Sequence, residues 1–531
     1  MQAVSVRVFG VHAWALVAPQ VVEGMASVLV LHRLVRRLAG PVAGILAALV
    51  FLLSPATVAL NRGNVPDTLM ILLLLLAADA TVRAIVTGGM RSLIWAGVLV
   101  GLAFQAKMIE AWLVLPALAL AYLLAAHGGW RQRVVRLGLA GLVTVGVSLS
   151  WMLVVTLWPQ GDRPYVDGSH DNSVFGQVFV YNGLGRLDQP SPNQLLTKSI
   201  GLKLGSPPPG WDRLLTGPLG HDTGWLIPAA LIALAACVAA SRRRRDLLRA
   251  GTALWGTWLI VLLVVFSFSG TVNAYYTAAL SPPIAALLGT ALALTWERRT
   301  DPRARVLSAI AVGASCGYAA WLLPAAGVGR VASLREAEIG LGVAALIFLL
   351  MSAGHVARTA IPKAAVALAA VAMLVVPAAA CASVVNNALG PFDTPFEQLP
   401  AWKLARALGA IAHQTEALLP PLEQAGVRTR TPELMATQTS AVAAPFIYDT
   451  GQEVLPIGGY TGTIPEPTLN TLKSMIARRD FHLVIQAPVV TDPRLIWIAN
   501  HCLSLNPGAA TPTTPGRLRF AVYYCGLNSV L

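Results

Sequence analysis

The sequence is poor in charge. Only 12% of its 531 residues are Asp, Glu, Lys or Arg, while 56% are hydrophobic. Soluble domains carry about 25% charged residues, so an ordinary soluble globule is excluded. The mean hydropathy of +0.64 places the chain among membrane proteins. Acidic residues are the scarcer sign, 25 against 39 basic, for a net charge of +14. That excess does not mark a nucleic-acid binder. The Lys and Arg residues stand in short clusters between apolar runs, the arrangement of loops that meet anionic lipid headgroups. Cysteine is also sparse, at five residues, with no CxxC and no Cys/His cluster to hold zinc. Cys237, Cys316 and Cys381 lie in apolar segments and read as small buried hydrophobes. Cys502 and Cys525 lie in a polar C-terminal region and can pair if that region is extracytoplasmic. That region has no phosphate loop and no GxGxxG, which argues against a nucleotide site.

Long apolar runs are what the chain has in abundance. A membrane helix needs about 20 apolar residues. Twelve such runs occur, near 12–31, 41–60, 66–86, 91–106, 108–126, 134–157, 223–240, 251–269, 274–295, 305–323, 338–353 and 364–385. Alternate connections hold most of the basic residues: Arg33, Arg36 and Arg37; Arg83 and Arg91; Arg131, Arg133 and Arg136; Arg242 to Arg245 and Arg249; Arg298, Arg299, Arg303 and Arg305; Arg358 and Lys363. The positive-inside rule makes these cytoplasmic. The loops near 61–66, 107, 158–222, 270–273 and 324–337, the tail from about 386 and the amino terminus then face outward. Residues 1–10, MQAVSVRVFG, lack the basic-then-apolar pattern of a signal peptide. An outward start without an export signal leads to the expectation that an upstream helix precedes this segment, the alternative being a first helix that inserts as a reverse anchor.

The expected architecture is a polytopic α-helical membrane domain over 1–385 and an extracytoplasmic α/β domain over 386–531. The outer loop 158–222, rich in Gly, Pro, Asp and Asn, is too long to be structureless and reads as a functional cap. In the tail, a helix is expected over 400–425. VLPIGG (454–459), HLVIQA (482–487) and RFAVYY (519–524) read as buried strands, separated by helices near 467–479 and 492–503. Gly458 and Gly459 read as a turn.

Polar residues gather at the predicted outer turns. In NRGNVPD (61–67), Pro66 suits the first turn of the next helix, and Asp67 stands where the helix dipole favours a carboxylate. Asp67 is either a cap or part of a polar site with Asn61 and Arg62, in which Arg62 suits phosphate and Asp67 suits sugar hydroxyls. In AKMIEAW (106–112), Lys107 and Glu110 form either an exposed interfacial pair or a site in which Lys107 neutralises a lipid phosphate. Tyr275 and Tyr276, after Asn273, are either aromatic-belt residues or hydrogen-bond donors to a sugar or phosphate. Two acids, Glu23 and Asp79, lie deep in apolar runs, and Asp79 can pair with Arg83 at i+4. Two acids are few for an ion pathway, which weakens a pump or transporter reading.

The series NRGNVPD, GLAFQAKM, RPYVDGSHDNS, VYNGLGRL, GTVNAYYTAALSP and VLPIGGYTG resembles the bacterial membrane glycosyltransferases of the protein mannosyltransferase and aminoarabinose transferase superfamily, and within it the YkcA/YkcB-like mannosyltransferase subgroup. The resemblance covers almost the whole chain. It implies a C-type glycosyltransferase fold in the cell membrane. The implied activity is transfer of a mannose-like hexose or aminopentose from a polyprenyl-phosphate donor to a lipid, protein or glycan acceptor on the outer face. By motif position it puts Asp67 at the sugar, Arg62 and Lys107 toward the phosphate, Asn61 among the substrate-binding residues beside them, and Asp171, Asn172, Tyr181, Asn182 and Arg186 in the capping loop. Tyr275 and Tyr276 match a His-x-Tyr-Tyr-like motif in which Asn273 replaces His. No metal ligand is assigned, although a divalent cation is compatible with related folds. The resemblance further implies an acidic catalytic base and a Lys-Pro-Pro-like turn in a loop ahead of QAVSVRVFG, which agrees with the expectation of a shortened start. The competing readings are a transporter or flippase, which calls for a midplane site and internal repeats, and a non-catalytic scaffold, whose outer polar residues would scatter.

Overall fold

The computed structural model describes residues 1–159, 161–169, 171–188, 195, 207–242, 247–298, 301–324, 330–351, 361–396, 431–487, 491–506 and 520–526. The helix expected over 400–425 lies outside the described residues. The chain forms two compact units, Met1–Leu153 with Pro208–Gln398, and Val154–Pro207 with Leu399–Leu531. The segment 154–207, assigned from sequence to the membrane domain, thus clusters with the tail. Asp167 explains part of this: its carboxylate accepts the Tyr460 backbone N–H at 3.2 Å.

The first unit is a helical bundle. Its helices are α1 (Gln2–Phe9), α2 (Ala13–Ala39), α3 (Pro41–Leu52), α4 (Pro55–Asn61), α5 (Asp67–Thr87), α6 (Met90–Lys107), α7 (Leu115–Ala125) and α8 (Trp130–Leu157). After the long loop come α9 (Gly217–Thr223), α10 (Ile227–Ser241), α11 (Leu247–Phe268), α12 (Ser281–Glu297), α13 (Pro302–Leu322), α14 (Arg330–Met351) and α15 (Ile361–Asn386). Among the described residues, nine helices are long and apolar enough to cross a membrane, ten if the pair α3 and α4, bent by 66°, is one span.

The twelve predicted runs are all recovered once two further features are recognised. One concerns Met90–Ala125, a continuous helical stretch of 36 residues. It is two passes. Met108, at φ 56° and ψ −139°, reverses the chain. Along α8, Gly97 of α6 lies against Ala140 and Gly101 against Val147, so these helices run in the same sense. Trp112 donates to Ser148 Oγ while Arg133 donates to the Leu123 carbonyl, so α7 runs the other way. The other is α14, which begins eight residues before the predicted run and carries Arg335, Glu336 and Glu338 in its first half.

Small residues allow the helices to approach closely. A Cβ on Gly289 of α12 would lie 2.6 Å from the Ala47 backbone nitrogen and 2.7 Å from the Ala43 carbonyl of α3. At the other end of α2 and α5, Asp79 is fully buried and binds Arg33 at 2.8 Å, Arg37 at 2.7 Å and Arg83 at 3.3 Å. The i+4 partner read from sequence is therefore one of three.

The tail builds a five-stranded sheet in the order β2-β1-β3-β5-β4. Its strands are β1 (Met435–Thr437), β2 (Val454–Pro456), β3 (Leu483–Gln486), β4 (Leu503–Ser504) and β5 (Ala521–Tyr524). Strands β2, β1 and β3 are parallel; β5 is antiparallel to β3 and to β4. Both faces are covered, so the strands read as continuous apolar runs. Met435, Leu483, Ile485 and Val522 pack with Val442 and Phe446 of α16 (Ser440–Thr450). Ala436, Val484 and Tyr523 pack with Leu472 and Ile476 of α17 (Leu469–Arg478) and with Leu495 and Ile498 of α18 (Pro493–His501). Gly458 and Gly459, at φ 93° and 66°, make the turn after β2. Cys502 and Cys525 form a disulfide across 23 residues.

A side chain at the α3–α12 crossing has nowhere to go, so Gly289→Leu should cost about 1–3 kcal/mol or more; a lowered thermal midpoint of the solubilised protein checks this. Cutting the Cys502–Cys525 link should cost roughly 3 kcal/mol through freed chain entropy, seen as faster proteolysis of the tail in Cys502→Ser/Cys525→Ser.

Candidate active site

Three chain reversals at one end of the first unit build a polar cluster inside an apolar bundle. Pro66 sets the backbone at the N-terminus of α5, and Asp67 is the first residue of that helix. Lys107 is the last residue of α6, immediately before the Met108 reversal. Asn273 precedes the 3-10 segment Ala274–Leu280, which carries Tyr275 and Tyr276 into α12.

The side chains converge. Lys107 Nζ lies 2.6 Å from both carboxylate oxygens of Asp67. Asp67 is 1% exposed and Lys107 15%. Glu110, on the 3-10 turn after the reversal, approaches the same ammonium at 3.8 Å. Both tyrosine rings face it, each with its centroid 4.5 Å from Nζ. The rings meet edge to face at 4.8 Å, and Asn273 Nδ2 donates to the Tyr275 hydroxyl at 3.2 Å. An isolated buried charge would be too costly to keep. Here a carboxylate, a second acid and two π faces compensate one ammonium. Lys107 is thus neither a snorkelling lysine nor one half of an exposed pair with Glu110.

Sequence reasoning missed the residues that close the cluster. After α15, Pro391 sits on Gly63, where a Cβ would lie 1.9 Å from the proline ring. Phe392 meets Tyr275 edge to face at 5.1 Å. Asp393 accepts the Gly390 N–H at 2.8 Å. Burial raises the Asp393 pKa, and that N–H opposes the rise. The signal was present in GPFDTP (390–395), a Gly-Pro turn directly after an apolar run.

The other predicted site residues are placed as follows. Arg62 is exposed at the end of α4, and Asn61 packs against Gly24 of α2. The loop residues belong to the second unit. There Asp171 accepts the Ser173 N–H, and Asn172, at φ 55°, accepts the Val166 N–H at 2.9 Å. Tyr181 and Asn182 lie on a π-helical stretch, Gly176–Leu184. Arg186 donates to Asn182 Oδ1 at 2.7 Å and lies 5.2 Å from the Tyr181 ring centroid. Among the described residues, no group of three His, Cys, Asp or Glu side chains is arranged to hold a metal ion.

Comparison with known proteins bears on this arrangement. Residues 1–158 match the family described as dolichyl-phosphate-mannose-protein mannosyltransferase. Residues 427–492 match "Putative mannosyltransferase YkcB-like, C-terminal". The chain is 29% identical to "Putative mannosyltransferase YkcB" of Bacillus subtilis (strain 168), over 90% of this chain and 78% of that protein. It is 28% identical to "Putative mannosyltransferase YycA" of the same organism, over 90% and 80%. The crystal structure of ArnT from Cupriavidus metallidurans bound to undecaprenyl phosphate shares the fold, with a TM-score of 0.53 at 17% identity over 100% of this chain and 87% of that one. The apo form aligns with a TM-score of 0.50. The bundle has the C-type glycosyltransferase fold, and the sequence matches to mannosyltransferases make the chain a multi-pass membrane glycosyltransferase. Its sequence similarity within that class is to the YkcB-like mannosyltransferases, over 90% of the chain.

Removing one partner of the buried pair strands the other. Lys107→Met should therefore destabilise the protein by about 3–5 kcal/mol. Adding Asp67→Asn should return much of that loss. Equal thermal midpoints for Lys107→Met and the unmodified protein would show that the pair holds nothing.

Proposed function

We propose that the protein transfers a sugar, a mannose-like hexose or an aminopentose, from a polyprenyl-phosphate donor to a lipid, protein or glycan acceptor at the outer face of the cytoplasmic membrane. The observation that carries this reading is the buried Asp67–Lys107 pair, walled by Tyr275 and Tyr276, at one end of a bundle built on a lipid-phosphate sugar transferase fold.

The chemistry follows from the groups present. The acceptor hydroxyl oxygen forms a bond to the anomeric carbon while the bond from that carbon to the donor phosphate oxygen breaks, and the hydroxyl proton passes to the departing phosphate or to water. Charge then accumulates on the leaving polyprenyl phosphate, and fixed cations at that point lower the barrier. An ammonium has three N–H donors. The Asp67 oxygens, Glu110 and the two tyrosine rings hold the Lys107 ammonium in place, and its small exposed face is the side open to phosphate. Arg62, exposed at the neighbouring turn, adds a planar donor suited to phosphate oxygens. Asp67 fixes the lysine and offers its remaining lone pairs to sugar hydroxyls. The positive-inside pattern supports the outer side for this end of the bundle. The Cys502–Cys525 disulfide supports the same side for the tail, because such bonds persist in oxidising compartments.

The test is transfer from a panel of polyprenyl-phosphate sugars by the protein in proteoliposomes. Asp67→Asn should lower turnover by about 100-fold or more, on the scale of losing one charged transition-state partner. Arg62→Ala should act chiefly on donor KM. Full turnover by Asp67→Asn would remove that residue from the site, and absence of transfer from every donor in the panel would reject the reading.

A further inference from the structure

A second feature lies at the opposite end of the same unit. α11 runs from the basic connection to the tyrosine cluster, where Phe266 meets Tyr276 at 6.2 Å. Arg249 is seventeen residues earlier on that helix, roughly 26 Å away along its axis. Between α7, α10 and α11 runs an open apolar slot of about 580 Å³. Leu124, Val238, Ala253 and Thr257 line it, and Arg242 and Arg249 stand at its mouth.

Arg242 is exposed and Arg249 half-buried. Among the described residues, neither makes an ion pair. Two guanidiniums at one mouth repel each other and call for an anion. Below them the slot continues along α11 as far as Val261. Twelve residues of helix span roughly 18 Å, comparable to one leaflet's half of a hydrocarbon core about 30 Å thick. A soluble anion would use the arginines and leave the slot empty. An uncharged hydrocarbon would fill the slot and leave the arginines unpaired. Only an amphiphile with an anionic head satisfies both.

We infer that this slot is a binding site for an anionic glycerophospholipid of the bilayer, with its headgroup phosphate between Arg242 and Arg249 and one acyl chain laid along Ala253 and Thr257. Basic pockets between membrane helices recognise such headgroups by charge, and the small side chains of α11 leave room for the chain. The inference is independent of the sugar-transfer reading, since it uses neither the Asp67–Lys107 pair nor its ligands.

The test is native mass spectrometry of the full chain, released from micelles holding equimolar phosphatidylglycerol and phosphatidylcholine. The protein should retain phosphatidylglycerol over phosphatidylcholine by about 30-fold, the scale expected for two basic residues. Arg242→Gln/Arg249→Gln should bring the two lipids to near-equal retention. Ala253→Phe, which fills the slot and keeps both arginines, should lower phosphatidylglycerol retention by about fivefold or more. Equal retention of both lipids by the unmodified protein overturns the proposal. So does phosphatidylglycerol retention unchanged in both variants. Complete displacement of phosphatidylglycerol by millimolar inorganic phosphate would likewise overturn it, by showing a free-anion site with no use for the slot.

Discussion

A buried charge pair at one end of an apolar bundle is the contact around which that end of the first unit is arranged. Asp67 and Lys107 sit on the facing ends of adjacent antiparallel helices, and neither tolerates burial alone. Their mutual need fixes where α5 starts, where α6 stops and how the chain turns at Met108. The tyrosines, Glu110 and the Gly63–Pro391 seat are arranged around that pair. The same need makes the ammonium available for chemistry. It is held in place before any ligand arrives, in surroundings that screen its charge poorly.

Much of this architecture could be read from the residues because hydropathy is a strong signal in a chain with so little charge. Each predicted apolar run has its helix, and the polar turns at 61–67, 107 and 273–276 are where the structure concentrates its polar side chains. The pairing between them was not readable. Asp67 and Lys107 are forty residues apart, and their meeting depends on the left-handed backbone at Met108, a residue type that carries no hint of a reversal. Phe392 was missed for a related reason: it lies beyond the last span, and only the folded path returns it to Tyr275.

In the tail β2, β3 and β5 were legible because each lies within a longer apolar run, at 454–459, 482–487 and 519–524. β1 and β4, at three and two residues, lie in no such run that was read from the sequence. α16 contains Pro445, which sequence rules count against a helix. It is tolerated because the buried Val442 and Phe446 anchor the helix to the sheet from both sides of the proline. The loop residues 171–186 look like ligand groups by type, yet their observed bonds shape their own segment, with Arg186 on Asn182 and Asn172 on Val166.

The Asp79 cluster has a consequence beyond holding two helices together. One carboxylate shared among three guanidiniums leaves a surplus of two positive charges fastened to the ends of α2 and α5. Carrying an arginine to the bilayer centre costs about 2.5–3.5 kcal/mol on insertion scales. Once folded, the cluster therefore behaves as a topological rivet: the helices cannot invert without dragging that surplus through hydrocarbon, so the contact that knits them also records which way they were inserted.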